Sequence, residues 1–164
     1  MEAAGEKPDK TADIKCSLDV LTAMKTRQSI RKFTDKPVSQ DLLTAILYAG
    51  MCAPTAKDKR PYHFIVVRDR CDLSMLARHN SNAAMLEFAA GAMIVCGDKN
   101  REGIKEFLYA DCAAATQNML LAIHGLGLGG VWCGVAPNSG WRKLLIEQAA
   151  LPDKLEPISV IAFG

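Results

Sequence analysis

From Ile104 to Ile123 apolar residues recur at helical spacing, and no other stretch narrows the possible folds so far. As a helix it is about 30 Å long, the width of a small domain. Ala113, Ala114 and Ala115 give it a narrow face that can pack closely against a neighbour. Such a helix needs cover on several sides, so the rest of the chain is expected to be arranged around it.

The cover is visible on either side of it. Tyr62–Val67 (YHFIVV), Ala92–Gly97 (AMIVCG) and Ile158–Phe163 are apolar, strand-length runs, and VWCGV before Ala136 reads as another strand. Ser17 is expected to cap a short helix bearing Leu18, Leu21 and Met24. Ser39 caps a second, Gln40 to Met51, with Val38 and Leu43 placed as a hydrophobic staple. Short helices are expected at Leu73–Arg78, Ala83–Phe88 and Ser139–Glu147. Helices first, then strands alternating with helices, give an α+β fold: a central mixed or antiparallel sheet flanked by helices, with one long central helix.

A chain of 164 residues, 49% of them hydrophobic, can bury about two-thirds of its unfolded surface as one domain. Residues 1–13 are polar and carry Gly5 and Pro8, so they read as a flexible lead-in, and residues 14–164 as a single domain. The net charge of +2, from 20 basic and 18 acidic residues, is too small for a nucleic-acid binder. No apolar run spans a membrane and the N-terminus lacks the pattern of a signal peptide, which points to the cytoplasm. The six cysteines contain no CxxC pair, and His63, His79 and His124 share no metal-ligand spacing, so no metal is expected. No serine–histidine–acid set or carboxylate pair stands out as catalytic.

Two motifs remain. GLGLGG, Gly125 to Gly130, follows a helix and precedes a strand, the reverse of the order a dinucleotide fingerprint requires. It is a helix end with a turn, a place where main chain approaches a flat ligand closely, or both. KTRQSIRKF, Lys25 to Phe33, gathers four cationic side chains and a serine. Alone it suits a solvated helix end; its two guanidinium forks and hydroxyl could equally converge on a phosphate monoester.

TRQSIRKF, then APTAKDKRPYHFIVV, then DCAAATQNMLLAIHGLGLGGVW, in that order from about Leu18 to Phe163, resembles the nitroreductase-like family of FMN-dependent oxidoreductases. The resemblance implies a homodimer with FMN at the subunit interface. It implies Arg27 and Ser29 on the flavin phosphate, Gln28 near the ribityl chain or ring edge, and Arg31 near the N1 and O2 side of the ring. Pro54, Thr55 and Ala56 would pack on the flavin of the opposite subunit, Asn82 would approach the pyrimidine edge, and the amides of Gly134 and Val135 would face N5. Asp58, Arg60 and Tyr62 depart from the residues usual at the pocket edge. Many relatives also continue into a tail that brings another basic residue to the phosphate, so that either such a tail follows Gly164 or Arg27 and Arg31 bear more of the anion.

The activity so implied is ping-pong hydride transfer from NADH or NADPH through flavin N5 to a small-molecule acceptor, a nitro compound or a quinone. The flavin carries the chemistry and no side chain need be catalytic. Alternatives are another flavin role, dehalogenation or flavin breakdown, or a non-enzymatic module that binds flavin or phosphate.

Overall fold

The computed structural model describes residues 15–164, so the expected lead-in at 1–13 lies outside the described residues. The four strands among them, β1 (Tyr62–Val67), β2 (Gly91–Asp98), β3 (Gly130–Gly134) and β4 (Leu155–Phe163), form one sheet in the order β1-β2-β4-β3. Every pairing is antiparallel, which resolves the mixed-or-antiparallel expectation. β2 and β4 are buried along their whole length. Helices cover both faces of the sheet, so the two central strands read as continuous apolar runs rather than as alternating ones.

On one face lie α2 (Gln40–Met51) and the long α4 (Lys105–Gly125), packed on Met93, Val95, Ile161 and Phe163. On the other lie α3 (Arg70–Arg78), a 3-10 turn at Ser81–Phe88 and α5 (Gly140–Gln148), packed on Ile94, Cys96, Val131, Cys133 and Val160. A buried hydroxyl pair, Thr116 Oγ1 to Ser159 Oγ at 2.8 Å, ties α4 to β4. α2 approaches α4 closely at Gly50, where a Cβ would stand 2.8 Å from Met119 Cγ.

Ser39 caps α2 and Ser139 caps α5, as their sequences require. The first helix differs from expectation. α1 runs Val20–Thr26 and its cap is Asp19, whose Oδ1 accepts from the amides of Leu21 and Thr22 at 3.0 and 3.1 Å. Ser17 instead donates both its amide and its hydroxyl to Gly125 O, each at 2.9 Å. The carbonyls at the end of α4 lack intrahelical donors, and a serine drawn there cannot also cap α1. Leu21 and Met24, expected to face inward, are 62% and 56% exposed.

Candidate functional site

The basic segment leaves α1 at its C-cap, Arg27, and runs without helix or strand past the glycine turn. Ile30 donates its amide to Gly130 O at 3.0 Å. Its side chain covers Gly129 so closely that a Cβ there would lie 2.7 Å from Ile30 Cγ2. Extended backbone alternates, so with Ile30 turned inward Ser29 and Arg31 turn out; both are exposed, and Arg27 is half-buried. Neither arginine is ion-paired among the described residues. Arg31 lies near β3: burial pushes the Cys133 thiol up to about 11, with the Arg31 guanidinium acting against that rise.

β3 is an edge strand. Gly129 and Gly164 exchange both backbone hydrogen bonds, at 2.7 and 3.1 Å, and Val135 N–H donates to Ile158 O at 3.2 Å. Antiparallel pairs alternate between bonded and non-bonded, so the amides of Trp132 and Gly134 point to the open edge. Gly130 uses that same edge to receive Ile30. No heavy atom lies within 4 Å of the place a Gly134 Cβ would take. The expectation for Gly134 and Val135 therefore divides: Gly134 offers its amide outward, whereas that of Val135 is used inside the sheet, because neighbouring residues of a strand face opposite ways.

Beside Gly134 is an open apolar depression of about 650 Å³ whose walls include Tyr109, Ala110 and Ala113 of α4 and Trp132 of β3. Sequence reasoning missed Tyr109 and Trp132 as wall residues; the tryptophan in VWCGV, directly after the glycine run, was the available signal. Asn82 is exposed on the 3-10 turn, whose Met85 Sδ lies 4.0 Å from Cys133 Sγ. That contact sets the turn beside the end of β3. Gln28 is also exposed.

The proline loop stands apart: Pro54, Thr55 and Ala56 contribute nothing to the walls of the depression. Thr55 Oγ1 accepts from Arg60 N at 3.1 Å, Arg101 Nη1 donates to Arg60 O at 2.9 Å, and Ala56 N donates to Asp111 Oδ1 at 3.0 Å. Lys57, Asp58 and Arg60 have φ of 54°, 53° and 48°, left-handed backbone without a glycine. Asp58 and Arg60 form a fork, Nε to Oδ1 at 2.7 Å and Nη2 to Oδ2 at 3.1 Å. Their charges answer each other instead of facing a ligand singly.

The histidines have structural partners: His124 Nε2 is 2.8 Å from Thr26 Oγ1, His79 Nδ1 is 2.8 Å from Met75 O, and His63 Nε2 is 3.5 Å from Asp98 Oδ2. No metal-ligand group of three occurs among the described residues. The open edge of β3 carries an outward amide, a residue without a side chain and an apolar wall, and the extended segment that bears Arg27, Ser29 and Arg31 is bonded to that edge at Gly130. Residues of these types suit a flat ring joined to a phosphate, as FMN is.

The model of the nitroreductase family matches residues 24–94 and 75–164. A protein of Methanothermobacter thermautotrophicus that carries the provisional name NADH dehydrogenase/NAD(P)H nitroreductase is 46% identical over 147 residues, covering 90% of this chain and 77% of its own. An FMN-dependent nitroreductase of Clostridium difficile superposes with a TM-score of 0.80 at 30% identity, over 88% of this chain and 86% of that one. A provisionally named nitroreductase of Desulfovibrio desulfuricans, solved in complex with FMN, superposes with a TM-score of 0.79 at 36% identity, over 88% and 84%. On sequence and fold alike, the chain belongs to the nitroreductase family.

Proposed function

We propose that this protein is an FMN-dependent NAD(P)H oxidoreductase that reduces nitro compounds, quinones or similar acceptors. The observation that carries the reading is the Ile30–Gly130 bond, which lays the segment bearing Arg27, Ser29 and Arg31 against the strand edge that also carries the outward Gly134 amide. Relatives named for FMN and for NAD(P)H support it. When bound, FMN supplies two-electron carriage between nicotinamide and acceptor.

The chain's own residues bind and orient. Arg27 and Ser29 take the phosphate, Gln28 the ribityl chain or ring edge, and Arg31 the side of the ring where negative charge collects on reduction. Gly134 lets main chain approach the ring and directs a donor at it; Val135 holds β3 to β4 so that the donor stays aimed. Asn82 reads the pyrimidine edge. Trp132 and Tyr109 exclude water from one side.

Pro54, Thr55 and Ala56 stand outside their own chain's depression, which supports their use on the flavin of a second copy in a homodimer. Tyr48, Met51 and Phe107, 50%, 53% and 46% exposed, are apolar surface suited to that contact. Residues 14–164 as a single domain and a cytoplasmic location complete the proposal. Six free cysteines suit a reducing compartment, and no helix among the described residues is long and apolar enough to cross a membrane.

Anaerobic titration of the purified yellow protein tests the function. NADH or NADPH should bleach the flavin absorbance, and a nitroaromatic or quinone should restore it. Yellow protein inert to both nicotinamides would reduce it to a flavin-binding module, and protein that takes up no FMN would refute the flavin reading. Gel filtration of a monomer that keeps its flavin would refute the homodimer.

A further inference from the structure

Two open depressions adjoin where β3 runs into the loop before α5. The apolar one beside Gly134 has Val135 and Ala136 in its walls. The next residues of the same loop, Pro137 and Asn138, line a second cavity of about 370 Å³, and Tyr109 of α4 is a wall of both. A reactant lying in the first has the second beside it.

The second cavity differs in charge. Lys99, Lys105, Arg142, Glu102 and Glu156 all line it. The acids already have partners: Glu102 is buried 3.0 Å from Lys59 Nζ, and Arg142 grips Glu156 with a fork, Nε to Oε1 and Nη2 to Oε2, each at 2.6 Å. Lys99 and Lys105 are exposed, and neither has an acidic partner among the described residues, so theirs are the charges left over. Lys105 Nζ lies 5.8 Å from the centre of the Tyr109 ring, which sets one of the two cations at the boundary between the cavities. Burial pushes the Tyr109 phenol up, Glu156 adding to the rise and Arg142 opposing it, so at neutral pH the boundary carries no phenolate.

Lysines on a convex surface are ordinary solvated charges. Two that line a concavity beside an apolar slot can meet a ligand that carries a ring at one end and an acid group at the other.

We propose that the cavity lined by Lys99 and Lys105 receives the acid group, a carboxylate, sulfonate or phosphate, of a reactant whose ring lies against the flavin in the neighbouring depression. The two lysines then select anionic reactants over neutral ones of the same shape. The flavin reading, on which this rests, supplies the reaction of the ring; the charge of the cavity does not depend on it. Two reactants can bring such a group: the acceptor, through an acid substituent, and the nicotinamide donor, through its phosphates.

Para-nitrobenzoate and its neutral isostere para-nitrobenzamide separate charge from shape. In the FMN-loaded protein, Lys99→Gln combined with Lys105→Gln should lower kcat/KM for the acid about tenfold, and each substitution alone about threefold, the scale of exposed charge pairs. The amide should change by less than about twofold, since it brings no charge for the lysines to meet. Added salt should erode the parent's preference for the acid and leave the double variant's rates unmoved. Rapid mixing with NADH and with NADPH reads the donor arm. A loss in flavin reduction alone assigns the cavity to the donor's phosphates, a loss with para-nitrobenzoate alone assigns it to the acceptor, and a loss in both assigns it to each in turn. No loss in either arm, or an equal loss for acid and amide, overturns the proposal.

Equilibrium dialysis of para-nitrobenzoate judges the lysines without turnover. Its dissociation constant should rise in the double variant by the same factor as kcat/KM falls, and an unchanged constant together with unchanged flavin reduction overturns the subsite. A parent protein that takes up no FMN, or whose flavin neither nicotinamide bleaches, defeats the flavin reading, while dialysis still decides whether Lys99 and Lys105 hold the acid.

Discussion

The glycine turn and the proline loop are both tight and irregular, yet they are held by opposite means. The turn from Gly125 to Gly130 is shaped by what is missing. Ile30 covers Gly129, Gly125 lies against Cys16 Sγ, and Gly127 takes φ 78°; its polar ties are mostly main chain to main chain. The proline loop is shaped by side chains that reach in from elsewhere: Asp111, Arg101, and Lys59 paired with Glu102 at 3.0 Å. A region closed by steric exclusion fails when volume is added. One closed by polar attachments fails when an attachment is removed or titrated.

Adding volume is the harshest test. Gly129→Val should drive Ile30 off the turn, lower stability by about 1–3 kcal/mol, and abolish saturable FMN binding by moving Arg27 and Arg31. Urea unfolding and flavin fluorescence titration measure the two effects, and a variant as stable as the parent breaks the steric half of the comparison. Arg27→Ala adds no volume and removes no loop attachment. It should weaken FMN binding by about 1.5–3 kcal/mol, the scale of a lost hydrogen bond to a charged group, with an unchanged unfolding midpoint.

Relief is expected at Lys57. With φ at 54°, Lys57→Gly should stabilise the protein by about 1 kcal/mol, since left-handed backbone costs roughly 1–2 kcal/mol in a residue with Cβ. Thermal unfolding decides it, and a loss of stability would mean that the lysine side chain makes contacts outweighing the strain.

Acid is the mildest perturbation and should separate the two regions. At Asp98, burial pushes the carboxyl up, but the Asn100 amide, Lys154 and His63 outweigh it and hold the group below its ordinary value. The Ile104 amide and then Lys59 do the same for Glu102. Carboxyl groups lowered by folding contribute stability that is complete at neutral pH. It declines as pH falls past the ordinary values near about 4 and is gone below the depressed ones. Glu102 braces the proline loop directly, through Lys59 at 3.0 Å, while the Asp98 carboxyl steadies the turn whose main-chain amide donates to Pro61 O at 2.7 Å. Amide exchange at residues 56–60 should therefore rise below about pH 4 before exchange at residues 125–130 does; simultaneous opening would remove the distinction.

The parts legible in the sequence were those specified locally. The strands at Tyr62–Val67 and Ile158–Phe163, the α2 cap and the long helix follow from residues near one another in the chain. The family resemblance drew TRQSIRK and the residues after the glycine turn toward one ligand, and the Ile30–Gly130 bond sets the segment beside that turn. What was not legible depends on distant partners. Ser17 is taken from α1 by a carbonyl 108 residues away. KDKR has no glycine or asparagine to advertise left-handed backbone; Asp111, 55 residues on, helps to impose it. Val135 could not be told from Gly134 before the register with β4 was known, because one step along a strand reverses the direction of an amide.

The outer edge of β3 has a consequence for handling as well as for chemistry. Main-chain groups that stay unpaired along a strand are a template for any other strand, and exposed edges of this kind invite aggregation unless covered. Ile30 covers the edge at Gly130 only, and Trp132 and Gly134 lie beyond it. A ligand lodged there acts as a guard on the sheet. Loss of solubility on storage should therefore track cofactor content: stripped protein forms β-rich precipitate first, and protein reloaded with FMN stays clear.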